Sequence, residues 1–293
     1  MRPLPIEAAS DIEVVARTLL KESKALGVYP TPVERIIAEA QLKVEEGVDL
    51  SDARPGFFSR TFEGIGKVSR KVLGLLDYRQ KTIYLDLSQE EPRKRFVQLH
   101  EVGHDVLTWQ ADTYRWDDEK TLDPWTKEAF EREASFFASC ALFQLDRFDE
   151  EATKLPLGLK SALALKKKFG SSCQAAIRRY VQYSSKRCAV LVLERPDATL
   201  KVKVRDCFES PSFANEFGAV DWPESCDARF PFVADMLVKR RFRDDGVVPV
   251  AGAGDGQTVF SYQFFSNSFN GFVFLHPPGE SIRSRTRIVL ART

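Results

Sequence analysis

Apolar positions recur along the chain in periods that predict most of its elements. Ile12, Val15, Ala16, Leu19 and Leu20 recur at helical spacing, which predicts a helix from Asp11 to Leu26 that Gly27 ends. Thr31-Pro32-Val33-Glu34 opens a second helix, with Thr31 as cap, Pro32 at the first helical position and Glu34 closing a capping box. The first fifty residues thus read as two helices. Pro55-Gly56 breaks the chain, and Gly64 to Val72 is a further helical candidate. Leu75-Leu76-Asp77-Tyr78 and Thr82-Ile83-Tyr84-Leu85 flank the polar Arg79-Gln80-Lys81, which predicts a β-hairpin. A helix with Pro92 in its first turn follows, its inward face formed by Phe96, Leu99, Gly103, Val106 and Leu107. A less regular stretch, 110–122, leads to a helix opened by Asp123-Pro124, whose apolar face holds Phe130, Ala134, Phe137, Ala138 and Ala141.

Beyond 155 the pattern changes twice. Lys160 to Phe169 and Cys173 to Tyr183 are two short helical patterns joined by Gly170-Ser171-Ser172. After Cys188 the chain reads as strands: the apolar run Ala189 to Leu193, then Leu200, Val202 and Val204 alternating with basic residues, then the aromatic stretch Thr258 to Leu275, and last Thr286 to Leu290. The predicted class is α+β and multidomain, with boundaries at 1–154, 155–187 and 188–293.

Composition narrows this picture only a little. The 293 residues carry 43% hydrophobic and 29% charged positions and a formal net charge of +1. That is a globular composition with no global field towards nucleic acid or an anionic membrane, so any such binding needs a local patch. No run of 18 apolar residues occurs, and the N-terminus lacks the apolar core of a secretory signal. The five cysteines are odd in number and widely spaced without a C-x-x-C pair, which reads as reduced thiols. Together these predict a cytoplasmic protein with no membrane partner.

The chemistry concentrates in His100-Glu101-Val102-Gly103-His104. Residues four apart on a helix share a face, so His100 and His104 can aim imidazole nitrogens at one metal ion. Glu101 lies beside them, placed to take a proton from a metal-activated water rather than to ligate. With three histidines in 293 residues, this spacing seldom arises by chance. Its bland alternative is a pair of solvated or core-satisfied histidines. A catalytic zinc takes three protein ligands and keeps an open position. His276 lies in His276-Pro277-Pro278-Gly279, which reads as a surface turn. Glu131 is the better third ligand, because Ala134, Ser135 and Ala138 share its face and allow a close helix–helix approach. Glu133, about 160° off that face if the helix starts its count at Glu131, and Glu128 are weaker alternatives. Tyr84 and Tyr114 are candidates for stabilising an oxyanion.

Arg95 to His104, preceded by the strand Thr82-Ile83-Tyr84-Leu85, resembles the core of the ImmA/IrrE zinc metallopeptidases. Glu131-x-x-Ala134-x-x-Phe137-Ala138 resembles that family's second motif, with Ser135 where the common form has asparagine. The resemblance implies Zn2+ (or Mn2+) held by His100, His104 and Glu131, with Glu101 as catalytic base. It also implies a substrate strand; Ile83, Tyr84 and Leu85 are the candidates for pairing with an extended peptide. The order of a peptidase unit, a helix-turn-helix-like unit and a strand-rich end is similar to the branch that controls radiation- and desiccation-response genes. There the enzyme is a site-specific endopeptidase, the protein substrate is a helix-turn-helix repressor, and the last domain is GAF-like and a suspected sensor.

Between Lys160 and Arg187 there is no Asp or Glu, while Lys160, Lys166, Lys167, Lys168, Arg178, Arg179, Lys186 and Arg187 are basic. A helical hairpin of this charge suggests DNA, an acidic protein surface, or no partner at all. For DNA, the reader would be the second helix through Gln174, Arg178 and Arg179. The phenylalanines at 260, 264, 265, 269, 272 and 274 read as core, with a ligand pocket as the alternative.

Overall fold

The computed structural model describes residues 6–48, 74–86, 90–116, 123–218, 220, 222–251 and 257–280, with side chains of 114–116, 251 and 257 excepted. Gly64 to Val72 and Thr286 to Leu290 lie outside these residues. The chain divides into two compact units, 1–148 with 168–171, and 149–167 with 172–293.

In the first unit, α1 (Ala9–Glu22) buries Ile12, Ala16, Leu19 and Leu20, the stripe its period predicts. Its chain leaves through Gly27, whose φ of +83° an L-residue adopts poorly. The second helix, α2, is short (Val33–Glu39), and Thr31 does not cap it. The Thr31 hydroxyl instead donates to Leu142 O at 2.7 Å, and buried Gln144 donates to Val28 O and Thr31 Oγ1 while accepting from Gly27 N. A tertiary bond has taken the group that local chemistry reserved for the cap. After α2 the chain becomes a strand, β1 (Lys43–Val48), where two helices alone were expected. Its exposed, charged sequence carries no strand period; it is specified by its partner.

That partner is β3 (Thr82–Asp86), which pairs in parallel with β1 and antiparallel with β2 (Gly74–Asp77), in the order β1-β3-β2. The β2–β3 turn is held by Asp77, whose Oδ1 accepts from the amides of Arg79 and Gln80. Being paired on both sides, β3 is the central strand. Ile83, Tyr84 and Leu85 therefore cannot receive a peptide by strand addition, a correction to the sequence reading. Alternation made β3 recognisable as a strand but could not reveal the third strand that covers its edge.

The helix α3 (Glu91–Val106) has no single inward face in its middle. Residues 98–105 are all buried except half-buried His100, so none on this stretch is exposed. The hairpin lies on one side and α5 (Pro124–Leu142) on another. Between them, α4 (Thr108–Trp116) is helical where an irregular stretch was expected. Asp123 caps α5 as predicted, accepting from Trp125 N and Thr126 N. A Cβ on Gly103 would sit 3.2 Å from Ala134 Cα, so the two helices approach through a glycine facing an alanine.

The second unit holds α6 (Arg147–Thr153, from Asp149 on), most of α7 (Leu159–Phe169) and α8 (Cys173–Gln182), with Ser172 capping α8. Its sheet runs β6-β5-β4-β10-β9-β7, with β8 also on β9, and every pairing is antiparallel. The strands are β4 (Ala189–Leu193), β5 (Val202–Glu209), β6 (Ser225–Cys226), β7 (Phe242–Arg243), β8 (Val247–Ala251), β9 (Gln257–Ser266) and β10 (Gly271–His276). Two short helices, α9 (Pro211–Phe217) and α10 (Pro231–Leu237), are inserted among them. Phe260, Phe264, Phe265, Phe272 and Phe274 are buried as expected, but Phe269 is exposed at the β9–β10 turn, beneath the Arg195 guanidinium. Leu200 is likewise exposed, with φ of +61° in a turn that Asp197 Oδ1 holds through Thr199 N and Lys201 N. No described helix is long and apolar enough to cross a membrane.

Candidate metal centre

One helical turn of α3 brings His100 and His104 together, their Nε2 atoms 3.1 Å apart. From α5, Glu131 places Oε2 3.2 Å from His100 Nε2 and Oε1 3.4 Å from His104 Nε2. Three ligand atoms about 2.0–2.1 Å from one tetrahedral centre would lie about 3.3 Å apart. The three side chains therefore fit a zinc-sized ion, and they are the candidate metal-holding group among the described residues. Burial alone would push Glu131 up. The two imidazoles outweigh it and hold that carboxyl far below the usual range. Burial pulls His104 down, but the Glu131 carboxylate more than compensates and raises it.

Glu101 is buried and does not join the trio. Burial raises its pKa, against the opposing pull of both histidines and of a hydrogen bond from the Leu76 amide. That bond places β2 directly against the carboxylate. Gly74 on the same strand has the reason for its identity here, since a Cβ would run into Val97 and stand 3.1 Å from Glu101 Oε1. A buried carboxyl with a raised pKa beside a cation site is a stronger base than an ordinary carboxylate and suits proton transfer.

The alternatives for the third ligand fall elsewhere. Glu133 turns from the trio and accepts from Trp109 Nε1 at 2.8 Å and Gln110 Nε2 at 2.7 Å. Glu128 is exposed. His276 is a buried strand residue at the end of β10, in the second unit, and not a surface turn. Its neighbouring prolines gave the turn signal, but the turn begins after it. Of the oxyanion candidates, Tyr84 donates to Gln80 Oε1 at the hairpin turn, and the Tyr114 side chain lies outside the described residues. Three residues at the site had no functional reading in the sequence. Gln110 contacts His104; Ser135 Oγ lies 3.3 Å from His100 Nδ1; Tyr78 reaches His104 O at 3.4 Å. Only Ser135 had a signal, four residues after Glu131.

Of the proposed DNA reader, Arg179 is withdrawn from the surface. Arg179 is buried, bonded to Asp149 Oδ2 at 2.9 Å and stacked 3.6 Å from the Tyr183 ring. Gln174 donates to Asp206 and accepts from Arg205, while exposed Arg178 lies over the Phe208 ring and donates to Gln182. Arg205, Asp206 and Phe208 all belong to β5, so the α8 face carrying Gln174 and Arg178 rests against the sheet of its own unit. Part of the run without acidic residues looked free because the counter-charges of Lys160, Arg179 and Arg187 come from distant sequence.

Residues 66–180 match the family model described as the IrrE N-terminal-like domain, of peptidase family M78. The match takes in the hairpin, α3, α5 and most of the helical pair. Across 98% of this chain and 95% of the other, the fold is similar to that of a Mycobacterium tuberculosis transcriptional regulator, with a TM-score of 0.54 at 11% identity. At that identity the likeness is one of fold. No curated protein matches the chain.

Proposed function

We propose that the chain is a zinc-dependent endopeptidase of the ImmA/IrrE type that cuts a transcriptional regulator. The observation that carries this reading is the convergence of His100, His104 and Glu131 with a separate buried Glu101 beside them. In this reading the three side chains hold Zn2+, or Mn2+, which supplies a Lewis acid and brings the pKa of a water to about 7. Glu101 would be the general base, placed to accept a proton from the attacking water and to return it to the leaving amine. The substrate lies along β2 rather than β3, since Gly74–Asp77 has no partner strand on its outer edge among the described residues and Leu76 adjoins Glu101. By the resemblance to IrrE (also called PprI), the substrate is a helix-turn-helix repressor of the DdrO type, in the cytoplasm, and cleavage releases DNA-damage response genes. The strand-rich end is a GAF-like sensor in the same proposal.

The rival, a DNA-binding activator with a structural metal, is less favoured because Arg179 of its proposed reader is held in an ion pair with Asp149. The deciding experiment incubates zinc-loaded protein with the purified repressor. Wild type gives a discrete product that a chelator abolishes. Glu101→Gln keeps the metal and loses cleavage by about a hundredfold or more, the scale of removing a general base. A metal-bound Glu101→Gln protein that cut as fast as wild type would overturn the mechanism.

A further inference from the structure

His104 does not meet its neighbours through one nitrogen alone. Its Nδ1 lies 2.8 Å from Gln110 Oε1, on the side away from His100 and Glu131. Hydrogen positions on an imidazole or an amide have to be argued from partners. Gln110 is fully buried, so both ends of its amide need them. One end faces two atoms that can only accept: Glu133 Oε2 at 2.7 Å and Phe130 O at 3.2 Å. That end is therefore the NH2. Glu133 is itself steadied by the Trp109 indole N–H at 2.8 Å. With its donor end committed, Gln110 presents its carbonyl oxygen to His104, and Nδ1 must carry the hydrogen. The lone pair then sits on Nε2, facing Glu131 and His100.

We propose that Gln110 is a positioning residue for the metal centre: locked by Glu133 and the Phe130 carbonyl, it fixes His104 in the tautomer and ring orientation that leave Nε2 bare for the ion. This rests on the reading of His100, His104 and Glu131 as metal ligands. His100 is not clamped in this way, because its Nδ1 meets Ser135 Oγ, and a hydroxyl can either donate or accept. The two histidines thus differ: the site has one imidazole set in advance and one that adapts.

The test measures zinc by chelator competition, and the His104 imidazole proton by nitrogen-15-resolved NMR of the zinc-loaded full chain. Wild type is expected to show a His104 Nδ1–H that exchanges slowly with water. Gln110→Leu should weaken zinc about tenfold to a hundredfold and speed or abolish that signal, with the His100 ring signal little changed. Because Gln110→Leu could disturb folding by stranding Glu133, Glu133→Leu is the second variant. It frees the amide to turn and should give the same loss in smaller degree, whereas Glu133→Gln keeps an acceptor and should restore affinity to near wild type. Wild-type zinc affinity and an unchanged His104 Nδ1–H in Gln110→Leu, or in Glu133→Leu where the first variant is unfolded, would overturn the assignment. Failure of wild type itself to bind zinc would instead sink the metal-centre reading on which it rests.

Discussion

At the scale of single residues, the site is a balance of burial against charge, and the balance has a pH signature. Without metal, Glu131 stays ionised well below the ordinary carboxylate range, and it raises His104 above its ordinary value near 6.5. A group whose folded pKa is raised binds its proton more tightly in the folded chain. It stabilises below the unfolded pKa, and that stabilisation is lost as pH rises through the folded one. Glu101, also raised, acts in the same direction from its ordinary value of 4.5 upward. The chelated protein should therefore lose stability as pH climbs above about 6.5, and His104→Gln should flatten that slope. A melting temperature of the metal-free protein that rises across this range would contradict the ion pair. Zinc-loaded protein should show the opposite trend, because the ion competes with the proton for His104 and binding tightens as the proton leaves.

At the scale of elements, the site exists because two helices can come close. A Cβ on Gly103 would meet Phe137 Cδ1 at 3.1 Å and the Ala134 Cα and carbonyl oxygen at 3.2 Å. Two of these three contacts are backbone, which cannot swing aside as a side chain can. Gly103→Ala should cost about 1–3 kcal/mol by overpacking, read as a lower urea midpoint. It should also weaken zinc, since parting α3 from α5 moves Glu131 from the histidines. Wild-type zinc affinity in a destabilised Gly103→Ala would show that the crossing sets stability alone. This crossing was legible beforehand, because Ala134, Ser135 and Ala138 are small residues on the face of Glu131, and Gly103 stands on the apolar face of its own helix. What stayed hidden depended on partners remote in sequence. The strand β1 is defined by β3, the fate of Thr31 by Leu142, and the commitment of Arg179 by Asp149. Periodicity reports which face is apolar, but not which segment arrives to cover an edge or neutralise a charge. Gln110 shows the same limit, since an isolated glutamine in a tryptophan-rich segment carries no sign that both ends of its amide will be claimed.

At the scale of the whole molecule, the chain is two units with separate sources of order, and the second has a polar centre of its own. Asp235 is buried on α10 and accepts from Arg243 at 2.8 and 2.9 Å and from the Tyr262 hydroxyl at 3.1 Å, with Arg240 at 2.7 Å. All four residues belong to the second unit, and together they join a short helix, the strand β7 and the long strand β9. A buried carboxylate is costly alone but strongly bound when its lone pairs are filled, so removing its charge leaves the cations and the hydroxyl poorly matched. Asp235→Asn should lower the stability of this unit by about 1.5–3 kcal/mol, the scale of hydrogen bonds to a charged group, because the two arginines left behind still reach solvent. Tyr262 adds a test that needs no substitution. Burial first, then the Asp235 charge, pushes its hydroxyl up to about 12. The unfolded chain loses that proton near 10, so the stabilisation is present below about pH 10 and lost as pH rises towards about 12. Denaturant titrations across that window should show the midpoint of the second unit falling, and Tyr262→Phe should remove this residue's share of the fall while lowering the midpoint at neutral pH. An Asp235→Asn protein as stable as wild type, with its alkaline transition unmoved, would mean that the packed phenylalanines hold this sheet without the ion cluster.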